Sequence, residues 1–163
     1  MIDRDMVTSE KFRQVMGNFA TGITVVTTRG TDGKPYGLTV NSFTSVSLDP
    51  LLVLVCFDHR LSSLKHFKDS NKFGVSILSE RQEDRSRIFA MKDSDRPASM
   101  YFDGPSGQPL LLGALAYLEC ETVEKYAGGD HQIFLGKVIS ADVLEGGNGV
   151  NPLLYFRGKY HRL

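Results

Sequence analysis

The chain has 163 residues, of which 41% are hydrophobic and 23% charged, with Lys plus Arg and Asp plus Glu at 19 each. That is the composition of a soluble globular chain of one-domain size, which buries roughly 70% of its unfolded surface and needs no disulfide or metal staple. The formal net charge of zero argues against nucleic-acid binding through global positive charge. No apolar run reaches the roughly 18 residues of a membrane span, and Met1–Met6 lacks the apolar core of a signal peptide. The default expectation is a cytoplasmic protein with neither nucleic acid nor membrane among its partners.

Residues 8–19 read as a short amphipathic helix, with Phe12, Val15, Met16 and Phe19 at i, i+3, i+4 and i+7. Thr8 or Ser9 is placed to cap it. The period then changes. Gly22–Thr28 is rich in β-branched residues and reads as a strand. Thr31–Pro35 is a turn carrying the Asp-Gly hairpin signal. Tyr36–Val46 reads as one long second strand, unusually full of hydroxyls, ended by Asp49-Pro50. Leu51–Phe57 is continuously apolar, which predicts a strand buried on both faces.

Ser62–Lys68 reads as a short helix with Leu61, Leu64 and Phe67 inward, and Phe73–Leu78 as another strand. Ser79-Glu80-Arg81-Gln82 matches a capping box that would open a polar helix ending near Ala90. Residues 91–110 carry several Pro and Gly and read as an irregular surface excursion. Two alternating stretches follow. In residues 114–124, Ala116, Leu118 and Cys120 oppose Tyr117, Glu119 and Glu121. In residues 131–143, His131, Ile133 and Leu135 share a face. Gly146–Gly149 is a loop, Leu153–Phe156 a last short strand, and the end a solvated tail. Strands outnumber helices and no regular βαβ series appears. The pattern predicts one mainly β domain over residues 1–163, an antiparallel barrel with a few short helices.

The two cysteines, Cys56 and Cys120, lie in apolar or alternating runs with no metal spacing, and read as reduced buried thiols. His59, His66, His131 and His161 are scattered. The dinucleotide-binding glycine fingerprint, the phosphate-binding loop, the zinc-protease helix and the nucleophile elbow are all missing. No metal site and no certain catalytic residue is expected. What remains is a set of polar constellations. Thr39, Asn41, Thr44, Ser45 and Ser47 crowd one strand, either as the wet face of an edge or as bonds to a polar ligand. Asp58–Ser63 leads into a helix start, either as a plain cap at Ser62 or as an anion site. Gly128-Gly129-Asp130-His131 is a flexible turn with a histidine, structural or functional.

In combination, Phe19–Thr28, Gly37–Pro50, Phe73–Ser79, Gly129-Asp130-His131 and Pro152–His161 resemble, in this order, the flavin reductase family with the FMN-binding split-barrel fold. The resemblance covers about Phe12 to the C-terminus. It departs at Asp49-Pro50-Leu51, where many relatives carry a second proline. It implies a split barrel of antiparallel Greek-key type and a homodimer with flavin near the subunit interface. The implied reaction passes a hydride from NADH or NADPH to FMN or FAD, and the reduced flavin serves a separate flavin-dependent monooxygenase. By the same resemblance, Thr39, Val40, Asn41, Ser42 and Ser45 line the flavin ring and ribityl chain. Cys56, Phe57, Asp58, Ser62 and Ser63 hold the ribityl and phosphate end, and Phe89 and Ala90 complete the pocket. His131 and Tyr155 lie toward the nicotinamide. Alternatives on the same fold are an oxidase of a pyridoxamine phosphate-like substrate and a non-enzymatic flavin-binding protein.

Overall fold

The computed structural model describes residues 7–92, 94–144 and 149–163. The expectations for Met1–Met6 and for most of the Gly146–Gly149 loop lie outside them. Strands hold 49% and helices 16% of the described residues, so the architecture is mainly β as expected. In chain order the elements are α1 (Ser9–Met16), β1 (Thr21–Gly22), β2 (Thr24–Arg29), β3 (Pro35–Val40), β4 (Phe43–Leu48), β5 (Leu51–Asp58), α2 (Leu64–Asp69), β6 (Lys72–Ile77) and α3 (Glu83–Ala90). A 3₁₀ turn (Ala98–Met100), β7 (Tyr101–Asp103), β8 (Pro109–Leu111), β9 (Ala116–Gly128), β10 (His131–Val143), β11 (Leu154–Phe156) and β12 (Lys159–His161) complete it. Among the described residues no helix is long and apolar enough to cross a membrane.

Seven strands form one antiparallel sheet in the order β3-β2-β6-β9-β10-β5-β4. Its outer strands, β3 and β4, follow each other in the chain and are joined by Asn41 and Ser42 alone. Two linking residues span at most about 11 Å, so the sheet must curl until its edges come together. The barrel is split between β3 and β4. The predicted strand Tyr36–Val46 is thus two strands, and its break is the split itself. Inside the barrel Val26, Leu38, Val55, Phe57, Phe67, Phe73, Cys120 and Phe134 form the main core.

A second core lies outside the barrel. Ile23, Val25, Leu78, Phe89, Met100, Leu111 and Leu153 pack where α3 and the β7–β8 hairpin cover β2 and β6. This overturns two expectations. The doubly buried strand is β2, buried from Thr24 through Thr28. Its threonines are accommodated because their hydroxyls donate to backbone carbonyls, Thr24 to Val40 O at 3.1 Å, Thr28 to Lys72 O at 2.9 Å and Thr27 to Pro109 O. In β5, by contrast, Val53, Val55 and Phe57 are buried while Leu52, Leu54 and Cys56 are only half-buried. The apolar run of β5 therefore has an outer face that this chain only partly covers. Residues 91–110 are likewise no irregular excursion, since they contain the 3₁₀ turn and the β7–β8 hairpin that roof the second core.

The hairpin is pinned by a buried carboxylate. Glu119 on β9 is fully buried and accepts from Ser106 N (3.0 and 3.1 Å), Ser106 Oγ (2.7 Å) and Gln108 N (3.1 Å). The alternating faces read from residues 114–124 hold, with Tyr117 and Glu119 under the hairpin and Cys120 in the barrel.

Local chemistry accounts for the remaining differences. The Ser79–Gln82 box forms only its return half. Gln82 Oε1 accepts from Ser79 N at 3.1 Å, and the helix starts a turn later at Glu83. The C-terminal tail is instead a strand pair closed by Arg157 (φ 49°) and Gly158 (φ 76°). Two successive positive φ values make the tight hairpin turn that matches strand twist. Arg is an uncommon residue there, so the sequence carried no turn signal. The helix is shorter than the expected 8–19, so Phe12, Val15 and Met16 lie on α1 while Phe19 falls beyond its end; Thr8 Oγ1 caps it by accepting from Lys11 N at 3.2 Å, but no residue of α1 is buried.

Burial pushes the Cys120 thiol up to about 12 and raises that of Cys56. The thiolate is the reactive form. Cys120 is therefore expected to stay unmodified by a disulfide reagent at pH 8 in the folded protein and to react only on unfolding; modification in the native state would contradict its place in the core.

Candidate functional site

Three elements meet at the split: the end of β3, the end of α3 and the C-terminal hairpin. Ser86 of α3 joins them. Its carbonyl accepts the Thr39 hydroxyl at 2.6 Å, and its own hydroxyl lies 2.8 Å from Tyr160 Oη. The Arg87 guanidinium sits 4.8 Å over the Tyr160 ring, and Tyr155 packs edge-on to Tyr160. Between these walls lies a cavity of about 210 Å³ lined by Thr39, Val40, Asn41, Ala90, Tyr155 and Tyr160, with Ile23. Five residues that the resemblance implicated, from three separate stretches of sequence, thus meet in one place. The Asn41 side-chain amide makes no hydrogen bond to a described residue, so both its donor and its acceptor remain free for a ligand.

On the other side of Ala90 a larger cleft of about 600 Å³ runs between β3, the loop into α2, and the segment after α3. Ser62, Ser63, Phe89 and Ala90 line it, as expected for the tail of a flavin. Neither serine caps α2: Ser63 stands at the N-cap without a side-chain cap bond, and the helix has only six residues. The Ser62 and Ser63 hydroxyls make no hydrogen bond to a described residue. Arg60, which is paired with Asp58, and Lys65, Lys92 and Arg96 also line the cleft, and among the described residues no carboxylate does. In a chain of zero net charge that is a local excess of positive charge suited to an anion.

Arg96 shows how the cleft is held. Its guanidinium donates to Gly37 O and Met91 O, both at 2.8 Å, and lies 4.9 Å over the Phe89 ring. Burial lowers its pKa from the ordinary value, yet a guanidinium stays charged at any physiological pH. On the opposite wall Tyr36 and His66 stack with ring centroids 3.4 Å apart and planes 11° from parallel. Burial, and then the neighbouring Lys65, lower the His66 pKa, which favours the neutral ring.

Other expected residues are placed differently. Val40 and Phe57 are 8% and 1% exposed and belong to the barrel core, so their side chains serve packing. Ser42 closes the split: its hydroxyl donates to Cys56 O at 2.9 Å and accepts from Cys56 N at 3.3 Å. Ser45 is exposed on β4 and lines neither cavity. Asp58 holds Arg60 in an ion pair at 2.6 Å, and this partner keeps its carboxyl well below the usual range. His131 opens β10 opposite Asp58, with Nδ1 2.7 Å from Asp130 Oδ1. Asp58, Arg60, Asp130 and His131 thus form one exposed polar corner. Through Arg60 the corner adjoins the cleft, whereas Tyr155 stands at the small cavity.

Sequence reasoning missed Tyr36, His66, Lys92, Arg96 and Tyr160 as site residues. Apart from Tyr160, which lies in the Pro152–His161 segment, none belongs to a motif. Arg96 sits in a stretch without periodicity, and only the fold brings it 59 residues back to Gly37.

Residues 16–163 match the family described as flavin reductase like domain. The chain is 42% identical over 151 residues to the reductase component of a flavin-dependent trigonelline monooxygenase from Acinetobacter baylyi, covering 92% of this chain and 47% of that protein. It is 42% identical over 160 residues to an NADH-dependent FAD reductase from Streptomyces globisporus, covering 93% and 84%. Its fold superposes on the NADH:FAD oxidoreductase SgcE6 from Streptomyces globisporus C-1027, solved in complex with NAD and FAD fragments. That match has a TM-score of 0.87 at 38% identity, covering 98% of this chain and 96% of the other. The chain spans about half the length, 47%, of two of the curated relatives it matches. The split-barrel fold is thus shared with flavin reductases, and the chain belongs to the flavin reductase like domain family.

Proposed function

We propose that this protein is an NAD(P)H:flavin oxidoreductase that reduces FMN or FAD and passes the reduced flavin to a separate monooxygenase. The observation that carries this reading is the junction at Ala90 of a small cavity with a longer cationic cleft. The donor set fits a flavin: a half-polar slot for a planar ring, then hydroxyls and cations for a phosphorylated tail. When bound, the isoalloxazine supplies the two-electron acceptor that hydride transfer requires. The chain's own residues position and select. Ser86 clamps β3 to the C-terminal hairpin, which keeps the slot width constant. Asn41 offers an amide at the ring's polar edge. Ser62 and Ser63 offer hydroxyl donors to the tail, and the cleft cations balance its charge.

His131, paired with Asp130, has a positioning role for the nicotinamide or its phosphates. His131→Ala is expected to raise the KM for the nicotinamide cosubstrate roughly tenfold, the scale of one charge-assisted hydrogen bond, with a smaller change in kcat. A fall in kcat at unchanged KM would contradict this role.

The proposed enzyme is a cytoplasmic homodimer without nucleic-acid or membrane partners, its one domain spanning residues 1–163. The dimer reading is supported by the outer face of the sheet. There Leu52, Leu54, Ile133 and Leu135 are half-buried and Tyr126 is 50% exposed, while Phe12, Val15 and Met16 of α1 and the nearby Phe19 are 47–68% exposed. Apolar surface of this extent fits an interface. Sedimentation at micromolar concentration is expected to give a dimer, and Leu54→Glu to shift it toward monomer. A monomeric wild-type chain would remove the dimer.

The reductase reading is tested by nicotinamide oxidation on flavin-stripped protein, with NADH and NADPH each combined with FMN, FAD and riboflavin. Turnover that saturates with added flavin supports it. Flavin binding without turnover in any combination overturns it in favour of a storage or oxidase role.

A further inference from the structure

Among the described residues Ala90 alone lines both the small cavity and the cleft. It ends α3, and two fastenings tie this end of the helix to β3. At one, the Thr39 hydroxyl donates to Ser86 O at 2.6 Å. At the other, Arg96 reaches back across the segment after α3. Its Nη1 donates to Gly37 O and its Nη2 to Met91 O, both at 2.8 Å, and its Nε donates to Ser94 Oγ at 3.2 Å. Between the fastenings Phe89 has little room to move. It is 2% exposed and carries the Arg96 guanidinium 4.9 Å over its face. It meets Tyr101 in a T-shaped contact with centroids 6.0 Å apart, and a Cβ on Gly37 would come within 3.0 Å of its ring.

A cation lining a cleft invites the role of phosphate ligand, and the geometry of Arg96 speaks against it. A guanidinium takes phosphate through paired N–H groups of its fork. Here all three of its nitrogens already donate within the protein, two of them to backbone carbonyls. A lysine would supply the same charge, but not three donors fixed in one plane.

We propose that Arg96 is a positioning residue for hydride transfer, which fixes Phe89 and Ala90 and through them the seat of the flavin ring, and that it is not a ligand of the flavin phosphate. This inference rests on the flavin-reductase reading above and deepens it. Hydride transfer requires reacting atoms ~3–3.5 Å apart, and a displacement of about 1 Å can cost about 100-fold in rate. Loosening the waist at Ala90 therefore acts on turnover at saturation, and it does so whether or not the flavin carries a phosphate.

The test is steady-state turnover of the flavin-stripped full chain, as wild type, Arg96→Ala and Arg96→Lys, at saturating nicotinamide. Each protein is assayed with FMN and with riboflavin, which has no phosphate. Both variants are expected to lose at least about tenfold in kcat, by the same factor within about twofold for the two flavins, with a smaller change in the KM for flavin. Failure of lysine to rescue separates the planar fork from the charge. A raised KM for FMN alone, with kcat kept and riboflavin unaffected, would overturn the proposal in favour of a phosphate ligand. An Arg96→Lys variant with wild-type kcat would overturn it too. Thermal melting reads the folded fraction, and a kcat loss no larger than the loss of folded protein would overturn it in favour of a plain structural role. Should Arg96→Ala fail to fold, Arg96→Lys, which keeps the charge and most of the stem, decides by itself. A wild type without turnover on any flavin would overturn the reductase reading and the positioning role together, whereas each of the other adverse results leaves the reductase standing.

Discussion

Glu119→Ala is expected to lower the free energy of unfolding by about 3 kcal/mol, from the loss of charged hydrogen bonds and the stranding of their buried donors. The carboxylate is fully buried and, among the described residues, is the only acceptor for Ser106 N, Ser106 Oγ and Gln108 N. Alanine would leave these donors facing a void under the hairpin turn. The space admits no easy repair, because Gly104 already lies so close that a Cβ there would approach the Glu119 carboxyl at 2.6 Å. Glu119→Gln keeps the shape but turns an amide N–H₂ toward donors, so it is expected to recover only part of the loss. Denaturant melts of the three proteins check this. An Ala variant within about 0.5 kcal/mol of wild type, the ordinary range of surface substitutions, would show that the hairpin does not depend on the carboxylate.

Gly37→Val is expected to cost about 1–3 kcal/mol of stability through overpacking and to weaken flavin binding at least roughly tenfold. A Cβ at Gly37 would lie 2.9 Å from Thr27 Cγ2 and 3.0 Å from Phe89 Cε1. Thr27 is fully buried and its hydroxyl is engaged by Pro109 O, so it has little room to yield. Phe89 must move instead. It adjoins Ala90, the residue shared by the cavity and the cleft, and it carries the Arg96 guanidinium on its face. One substitution in the strand therefore disturbs both lobes of the site. Flavin titration and thermal melting of Gly37→Val and Gly37→Ala read the two effects separately. A Val variant that binds flavin as wild type does would show that Phe89 and Ala90 do not shape the pocket.

Most strands were legible because their signals are local. The β-branched run of β2, the Asp-Gly turn before β3, the Asp49-Pro50 turn and the alternation of β9 and β10 each sit within one short stretch of chain. The break at Asn41-Ser42 was not, because nothing in Tyr36–Val46 changes composition there. The break follows from the need to bring two sheet edges together. The C-terminal hairpin was hidden by an arginine at positive φ. The burial of β5 was misjudged because an apolar run reports hydrophobicity, and only the assembled sheet decides which face this chain covers itself.

The candidate site divides in the same way. Thr39, Asn41, Ser62, Ser63, Ala90 and Tyr155 were implied by the resemblance to a family, and the fold brings them to two adjoining cavities. By itself the sequence determined the β-rich class, the family and the segments that carry the pocket. All of these are properties of residue order within short windows. Tertiary structure alone decided that Glu119 anchors a roof, that Ser42 closes the split, and that Tyr36, His66 and Arg96 form the walls of one cleft. Those relations join residues up to 59 positions apart. Such contacts arise only when the sheet curls and buries both of its faces, and no local pattern encodes them.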